Sequence, residues 1–258
     1  MKKGLAESRQ KAQTLVMCGL VYVDGKREEK AGAQVLADVT IEIKEHGSSF
    51  VSRGGLKLQK ALDAFDVHPE GKVCLDSGAS TGGFTDCLLQ SGAARVYAVD
   101  VGYGQLDWKL RQDPRVVCLE RTNLRHVTAQ EIPDPLHLAT LDVSFISLRL
   151  VLPAVKALLR EGGEVICLIK PQFEAGKEKV GKKGVVRDPE THAEVLQHFC
   201  EDAEALGYSV KALSFSPIRG PEGNIEFLGH LTAGEGPAFP REAICPMVEQ
   251  AHSALAKG

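Results

Sequence analysis

Residues 72–84 read KVCLDSGASTGGF, an apolar run followed directly by a glycine-rich turn. A buried strand that ends in such a turn and continues into a helix is typical of the first unit of an open α/β sheet. Glycine lets the backbone approach a ligand closely, and the unpaired N–H groups of a helix N-terminus can bind one. The stretch therefore predicts a nucleoside-cofactor site, and it leaves the identity of the cofactor open.

Apolar strands alternate with helical segments after this turn. The predicted strands are 73–76, 95–100, 116–120, 137–142 and 164–170, and the predicted helices are 82–91, 105–112 and 147–160. This alternation predicts an α/β fold with a doubly wound, parallel, Rossmann-like sheet. A helix at 189–206 follows, and two last strands, 208–215 and 224–231, are joined by a short loop, so they must pair antiparallel. The sheet is thus predicted to be seven-stranded and mostly parallel.

The N-terminal residues 1–48 have a different pattern and form a small α/β domain richer in Lys and Arg than the rest of the chain. An amphipathic helix precedes the strand LVYVDG, and a second strand lies near 39–45. The residues DGK at 24–26 predict a hairpin reversal. The polar residues 45–49 are interpreted as a linker to a second domain at 51–258.

Composition excludes several classes of protein. The chain has 258 residues, of which 43% are hydrophobic, and a formal net charge of −3, which argues against a globally basic nucleic-acid binder but permits local basic patches. Its seven cysteines are scattered without close pairs, which predicts free thiols and no metal site. No signal peptide and no apolar stretch of about 18 residues is present, so we expect a cytoplasmic protein.

The glycine-rich turn departs from the dinucleotide fingerprint, because Gly78 is followed by Ala79 and Ser80 rather than by a second glycine. Asp100 ends the next strand and can bind the ribose hydroxyls of NAD or of S-adenosylmethionine, or merely cap its turn. Together with Asp142 and Asp76 it makes an acidic cleft, which favours a sulfonium cofactor over nicotinamide phosphates. Asn123 is a weaker candidate for an adenine edge, since turn asparagines are common. The predicted cofactor-binding residues are Asp76, Gly78, Ala79, Ser80, Thr81, Gly82, Gly83, Phe84, Asp100, Val101, Asn123 and Asp142.

Two lysines and a glutamate occupy positions that suggest catalysis. Lys170 directly follows an apolar strand and precedes a proline, and burial there favours the neutral form that a general base needs. Lys57 lies on a predicted helix before the first strand. Both lysines could instead be ordinary surface residues. Glu226 interrupts an otherwise apolar strand, and a buried glutamate requires a cationic partner.

Five segments resemble one enzyme family. RGGLKL (53–58), LDSGASTGGF (75–84), LDVSF (141–145), LIKPQFE (168–174) and GNIEFL (223–228) resemble the FtsJ-like ribose 2′-O-methyltransferases with their Lys-Asp-Lys-Glu tetrad. They resemble more closely the hemolysin A family of ribosomal RNA methyltransferases, which join an S4-type RNA-binding domain to that catalytic fold. Residues 4–26 look like the S4 part, and residues 181–192 look like the loop after the second tetrad lysine. Family members carry another helix before residue 4, so the resemblance implies an S4 module without its first helix.

The resemblance implies transfer of a methyl group from S-adenosylmethionine to a ribose 2′-hydroxyl of ribosomal RNA, on cytidine. The tetrad would be Lys57, Asp142, Lys170 and Glu226. Lys170 would take or orient the hydroxyl proton. Lys57 would favour the neutral form of Lys170 by like-charge repulsion, and the two acids would hold the lysines by charged hydrogen bonds. Most of the acceleration would come from alignment of the reacting atoms.

Basic residues in three regions are candidate RNA contacts. Residues 176–184 are rich in glycine and lysine and predict a mobile loop that clamps an RNA backbone, or else a solvated, disordered loop. Aromatic stacking is poorly indicated, because aromatic residues make up only 5% of the chain. The predicted RNA-binding residues are Lys2, Lys3, Arg9, Lys11, Lys26, Arg27, Arg53, Lys177, Lys179, Lys182, Lys183 and Arg219.

Three other functions are compatible with parts of the sequence. A nicotinamide dehydrogenase would share the fold and Asp100, but it predicts a complete glycine fingerprint. A non-catalytic ribosomal RNA-binding or ribosome-binding protein would not need the lysine and the glutamate at strand ends. A hemolysin-type membrane-active protein would need an apolar segment that the sequence does not show.

Overall fold

The computed structural model describes residues 5–6, 12, 15–16, 21–28, 32–33, 35, 39–43 and 50–256, without the side chains of Lys26, Arg27 and Lys182. Near the N-terminus it has a three-stranded sheet of β1 (Val21–Val23), β2 (Lys26–Arg27) and β3 (Ile41–Ile43), in the order β2-β1-β3. Asp24 and Gly25 form the turn between β1 and β2, and both have positive φ. The hairpin at 24–26 is confirmed, whereas most of the predicted amphipathic helix and the linker at 45–49 lie outside the described residues.

A seven-stranded sheet carries the rest of the chain, as predicted. Its order is β6-β5-β4-β7-β8-β10-β9, and β4, β5, β6, β7 and β8 are mutually parallel. β10 pairs antiparallel with both β8 and β9, which confirms the antiparallel pairing expected for the last two strands. The strands are β4 (Val73–Ser77), β5 (Arg95–Val99), β6 (Val116–Leu119), β7 (Leu136–Leu141), β8 (Leu159–Ile169), β9 (Tyr208–Phe215) and β10 (Phe227–Ala233).

The central strands are mostly apolar because both faces of the sheet are covered. In β4, Cys74 belongs to one hydrophobic cluster and Leu75 to the other. In β5, Val96 and Tyr97 divide between the clusters in the same way. Since successive side chains of a strand point to opposite faces, the two clusters lie on opposite sides of the sheet. This is the doubly wound arrangement.

Seven helices cover the sheet within residues 50–256. They are α1 (Gly54–Phe65), α2 (Gly83–Gln90), α3 (Trp108–Arg111), α4 (Leu152–Leu158), α5 (Pro171–Glu174), α6 (Pro189–Ala205) and α7 (Ile244–Leu255). α6 begins as expected, with Pro189 in its first turn and the Asp188 side chain accepting a hydrogen bond from Thr191 N at 2.9 Å.

The structure corrects five predicted boundaries or elements. The helix predicted at 105–112 is a single turn, and the one predicted at 147–160 ends at Leu158 because β8 begins at Leu159 rather than at 164. β10 begins at Phe227, the first residue that pairs with both β8 and β9, so Glu226 lies just before the strand instead of within it. α7 was not predicted from the sequence, and it packs on the sheet through Ile244, Val248 and Ala251.

The strand order reverses at β4, which lies between β5 and β7. Chain connections leave β4 in one direction along the sheet and return on the other side, and this opens a crevice at the carboxyl ends of these strands. Residues that follow β4, β5, β7 and β8 are therefore brought to one edge.

Candidate functional site

The glycine-rich loop after β4 lies at this crevice and approaches the end of β7 closely. Gly78 has φ +82°, and a Cβ atom added there would stand 2.4 Å from the carbonyl oxygen of Asp142. Only glycine allows this approach. Ser80, with φ +48°, and Gly82, with φ +96°, also have left-handed backbone before α2 begins. The turn is thus shaped by close backbone contacts.

Asp76 supports the loop from below and is fully buried. Its Oδ2 accepts hydrogen bonds from the backbone N–H of Thr85 at 2.8 Å and from the Thr85 hydroxyl at 2.6 Å. Its Oδ1 has no partner among the described residues. Burial raises the pKa of Asp76 to about 7, although the Thr85 hydrogen bonds oppose the shift. The loop therefore covers a buried carboxyl group with an uncommitted oxygen.

Asp100, at the end of β5, holds the loop in place. Its Oδ2 accepts from Ser80 N at 2.8 Å, and its Oδ1 accepts from Gly102 N at 2.6 Å. The turn-capping role considered from the sequence is therefore present, and binding of a ribose stays a prediction. Val101, next to it, is an apolar side chain that is 72% exposed at the mouth of the crevice. Asn123 caps a short turn through a hydrogen bond from Arg125 N at 3.1 Å.

Two ion pairs meet at the carboxyl end of the sheet. Lys57 Nζ, on α1, lies 2.6 Å from Glu226 Oε2, and both residues are buried, with Glu226 only 1% exposed. Lys170 Nζ, directly after β8, lies 2.6 Å from Asp142 Oδ1, and it also donates a hydrogen bond to Ser144 Oγ at 2.9 Å. The Asp142 contact is an ion pair rather than a directed hydrogen bond, since Oδ1 has no hydrogen-bond partner among the described residues. The structure thus brings all four predicted catalytic residues together.

Asp142 acts on both lysines. Burial lowers the pKa of Lys57, but the negative charges of Glu226 and Asp142 outweigh burial, so the pKa is raised overall. Lys57 is therefore a fixed cation at neutral pH. Arg53 weakly opposes this effect from the N-terminal end of α1.

A cleft of about 390 Å³ connects these features. Lys57 and Asp142 line it, whereas Lys170 is 8% exposed and does not form part of its wall. The other walls come from the start of α1, the glycine-rich loop and the loop before Glu226. The lining residues are Ser52, Arg53, Gly54, Lys57, Gly78, Ala79, Ser80, Thr81, Gly83, Phe84, Asp142, Ile218, Arg219, Pro221 and Glu222.

The structure describes only some of the predicted RNA contacts. Lys2, Lys3, Arg9 and Lys11 lie outside the described residues, and of Lys26 and Arg27 only the backbone in β2 is described. Arg53 lines the cleft.

The lysines of residues 176–184 follow α5, and Lys177, Lys179 and Lys183 are exposed. Lys179 is paired with Glu194 on α6, and the side chain of Lys182 is not described. The segment has a short 3₁₀ turn at Lys177–Lys179 and a second turn at Lys182–Gly184, in which Lys183 has left-handed backbone with φ +71°. Arg219 lines the cleft but donates hydrogen bonds to Leu255 O at 2.9 and 3.2 Å and to Gly223 O at 2.8 Å, which ties it to the end of α7.

Sequence reasoning missed two residues beside the tetrad. Ser144 contacts Lys170, and its only signal was its position two residues after Asp142. Phe145 is 91% exposed with φ +63°, and its ring lies 5.1 Å from that of Phe173. A strained, exposed aromatic beside the cleft is the feature that low aromatic content concealed.

No cluster of three or more metal-ligating side chains occurs in the part of the chain that the structure describes. Within those same ranges, the longest apolar helices are too short or too polar to cross a bilayer.

Comparison with known proteins agrees with this geometry. A family model described as FtsJ-like methyltransferase matches residues 50–232, and one described as S4 domain matches residues 1–41. YqxC of Bacillus subtilis, named as a candidate rRNA methyltransferase, is 52% identical over 260 residues, covering 99% of this chain and 92% of that protein. TlyA of Mycobacterium tuberculosis, named 16S/23S rRNA (cytidine-2′-O)-methyltransferase, is 46% identical over 229 residues, covering 88% of this chain and 85% of that protein.

A solved structure of a candidate hemolysin from Streptococcus thermophilus superimposes with a TM-score of 0.82 at 46% identity, covering 99% of this chain and 94% of that one. The resemblance noted in the sequence is confirmed. The chain belongs to the FtsJ-like methyltransferase family and carries an S4 domain ahead of its methyltransferase domain.

Proposed function

We propose that this protein transfers a methyl group from S-adenosylmethionine to a ribose 2′-hydroxyl of ribosomal RNA, on cytidine. The observation that carries the proposal is the meeting of two lysine–carboxylate pairs, the buried Lys57–Glu226 and the partly exposed Lys170–Asp142, beside the glycine-rich loop where the strand order of the sheet reverses. The substrate class is supported by the S4 match and by the name of the related TlyA protein.

The residues of the crevice fit S-adenosylmethionine. Asp142 presents a carboxylate on the wall of the cleft, which suits a positively charged cofactor, and Asp76 lies buried beneath the glycine-rich loop with one oxygen uncommitted. Asp100 is partly exposed at the end of the neighbouring strand, where a carboxylate binds ribose hydroxyls, and Val101 offers an apolar surface beside it. The cofactor supplies an electrophilic methyl group on a sulfonium when it is bound. Residues 78–84 would hold its methionine and ribose parts.

The chain's own residues would position the acceptor hydroxyl and its proton. Lys170 takes or orients the proton, and Asp142 and Ser144 fix the position of its Nζ. Lys57 adds a second positive charge, which Asp142 also attracts, and Glu226 holds the Lys57 side chain in place. Burial of both lysines limits side-chain motion, so the reacting atoms are held in alignment, which is where most of the acceleration is expected.

Incubation of the protein with radiolabelled S-adenosylmethionine and ribosomal subunits tests the proposal. Label is expected in ribosomal RNA as 2′-O-methylcytidine, recovered after nuclease digestion. Lys170→Ala is expected to reduce kcat by about 10²–10⁴-fold, the usual contribution of a positioned proton-transfer group.

Lys72→Ala is a matched control, because Lys72 forms a half-buried pair with Glu164 at 2.7 Å near the amino ends of the strands, away from the cleft. Its activity should equal that of the wild type. Absence of label from RNA, or equal rates for Lys170→Ala and the wild type, would overturn the proposal.

A further inference from the structure

The side chain of Asn224 joins two loops that border the site. One is the lysine segment, residues 176–184, which continues into the buried residues Val185 and Val186. The other is the glutamate loop, residues 216–226, which ends at Glu226. Asn224 Oδ1 accepts a hydrogen bond from Val186 N at 3.0 Å, and its Nδ2 donates one to Gly184 O at 2.9 Å. One side chain therefore connects residues about 40 positions apart in the chain.

A primary amide satisfies both of these partners at any pH, whereas a carboxyl group does so only when it is protonated. Asn224 is 1% exposed, so water does not compete for its polar atoms. The backbone N–H of Val186 must meet an acceptor and the carbonyl of Gly184 must meet a donor, which also fixes the orientation of the amide. Leaving either backbone group unpaired in a buried position is costly. The position thus demands asparagine for its hydrogen bonds, not for its size.

The glutamate loop transmits the position of Asn224 to Glu226. Asn224 O accepts from Gly220 N at 2.9 Å, and Glu226 O accepts from Ser216 N at 2.9 Å. The carboxylate of Glu226 packs against Gly220, where an added Cβ would stand 2.6 Å from Glu226 Oε1. Glu226 in turn holds Lys57. Displacement of Asn224 would therefore move the Glu226 carboxylate and the lysine that it holds.

We propose that Asn224 is a positioning residue that couples the lysine segment to the Lys57–Glu226 pair, so that RNA bound by the segment sets the geometry of the catalytic lysines. The proposal rests on the function proposed above, because it assigns a role in the same reaction. It predicts that loss of the amide impairs both RNA binding and the catalytic step. The affinity for S-adenosylmethionine should not change, because Asn224 does not contact the glycine-rich loop.

Two substitutions at this position test the coupling. Asn224→Ala removes both hydrogen bonds, and kcat/KM for RNA is expected to fall by about 10–100-fold, with changes in both kcat and KM, because small misplacements at a reacting centre have effects of this size. Affinity for S-adenosylmethionine, measured by calorimetry, should stay within about twofold of the wild type. Asn224→Asp keeps the acceptor, and its carboxyl group can donate to Gly184 O only when it is protonated. The activity of Asn224→Asp relative to the wild type should therefore rise towards acidic pH, whereas that of Asn224→Ala should not.

Tyr208→Phe is the matched control. Its hydroxyl donates a buried hydrogen bond to Leu152 O at 2.8 Å, at the amino end of β9, on the opposite edge of the sheet. All variants are assayed well below their melting temperatures. Tyr208→Phe should lose stability and keep the wild-type kcat and KM. If the Asn224 variants behave in the same way, with lower melting temperatures and unchanged kinetics, the coupling is wrong.

Hydrogen exchange separates this proposal from the proposed function. Exchange of the amides at 184–186, followed by mass spectrometry without RNA, should be faster in Asn224→Ala than in the wild type, since Val186 N–H loses its partner. If the wild-type protein labels no RNA, the proposed function has failed, and the connection between the loops is still decided by this readout. Equal exchange in the two proteins would overturn the connection itself.

Discussion

Asp142 is the residue that makes the candidate site a single unit. Its carboxylate lies against Lys170, its charge contributes to the raised pKa of Lys57, and its backbone carbonyl limits the residue at position 78 to glycine. The two candidate catalytic lysines and the glycine-rich loop thus all contact or face one residue at the end of β7. A carboxylate that balances two buried cations also explains how both lysines can be desolvated together.

The glycine at position 220 gives a prediction at the scale of one atom. Gly220→Ala would place a methyl group against the Glu226 carboxylate, which is the far end of a flexible side chain and can move. We expect kcat to fall by about tenfold or more because the Lys57–Glu226 pair is displaced. The melting temperature should change little. A large loss of stability with unchanged kcat in the folded fraction would show that the Glu226 side chain does not move away from the added methyl group.

The buried carboxyl group of Asp76 predicts a pH dependence of stability. Its pKa in the folded protein is about 7, against an ordinary value of 3.8, with burial as the main cause. The folded state therefore retains a proton that the unfolded state releases. This proton stabilises the folded state fully below about pH 4, and the stabilisation is lost as the pH rises through about 7. The free energy of unfolding then changes by at most about 1.4 kcal/mol per pH unit.

Urea unfolding of the wild type and of Asp76→Asn across this range measures that contribution. The difference between the two free energies of unfolding should shift in favour of Asp76→Asn as the pH rises from 4 to 7. A constant difference would mean that Asp76 is ionised throughout.

At the scale of elements, the Lys57–Glu226 pair ties α1 to the start of β10 over 169 positions of sequence. Removing one partner leaves a buried, unpaired group. Lys57→Met is expected to lower the free energy of unfolding by about 3–5 kcal/mol, and Glu226→Gln, which stays polar but uncharged, by less. The double variant should be more stable than the sum of the two losses predicts.

The half-buried pair of Lys72 and Glu164 provides the comparison for this double-mutant cycle, measured by urea unfolding. Its coupling energy should be about 1 kcal/mol or less, because solvent screens it. Equal coupling in the two cycles would contradict the claim that burial sets the strength of the Lys57–Glu226 pair.

The elements also show what the sequence could and could not predict. The parallel strands were found because burial on both faces makes them mostly apolar, as in the runs 73–75 of β4 and 96–99 of β5. The beginning of β8 was missed because residues 160–162, an arginine, a glutamate and a glycine, are exposed and interrupt the apolar run. Lys170 and Asp142 were predicted from their places at strand ends. Asn224 and Ser144 were not, since their partners lie far away in sequence or depend on how a turn folds.

At the scale of the whole molecule, charge is the property that must be reconciled with an RNA substrate. The formal net charge is −3, so attraction to phosphates has to come from local patches rather than from the protein as a whole. Among the described residues, the lysine segment offers such a patch, with Lys177 and Lys183 exposed and Lys179 turned to Glu194. Each lysine that binds a phosphate releases counterions, which makes binding depend on salt.

Reversal of charge in the lysine segment tests this assignment. Lys177→Glu with Lys183→Glu is expected to weaken binding to ribosomal RNA and to reduce the slope of log K against log salt concentration by about 0.7–0.9 for each phosphate that is no longer neutralised by a lysine. Lys211→Glu is the control for charge, because Lys211 is an exposed lysine on β9, outside the lysine segment and the cleft. Filter binding over a range of salt concentrations measures both slopes. If the slope falls as much per reversed lysine in the control, the attraction belongs to the overall charge of the protein. If it falls only in the double variant, the phosphates lie over residues 176–184.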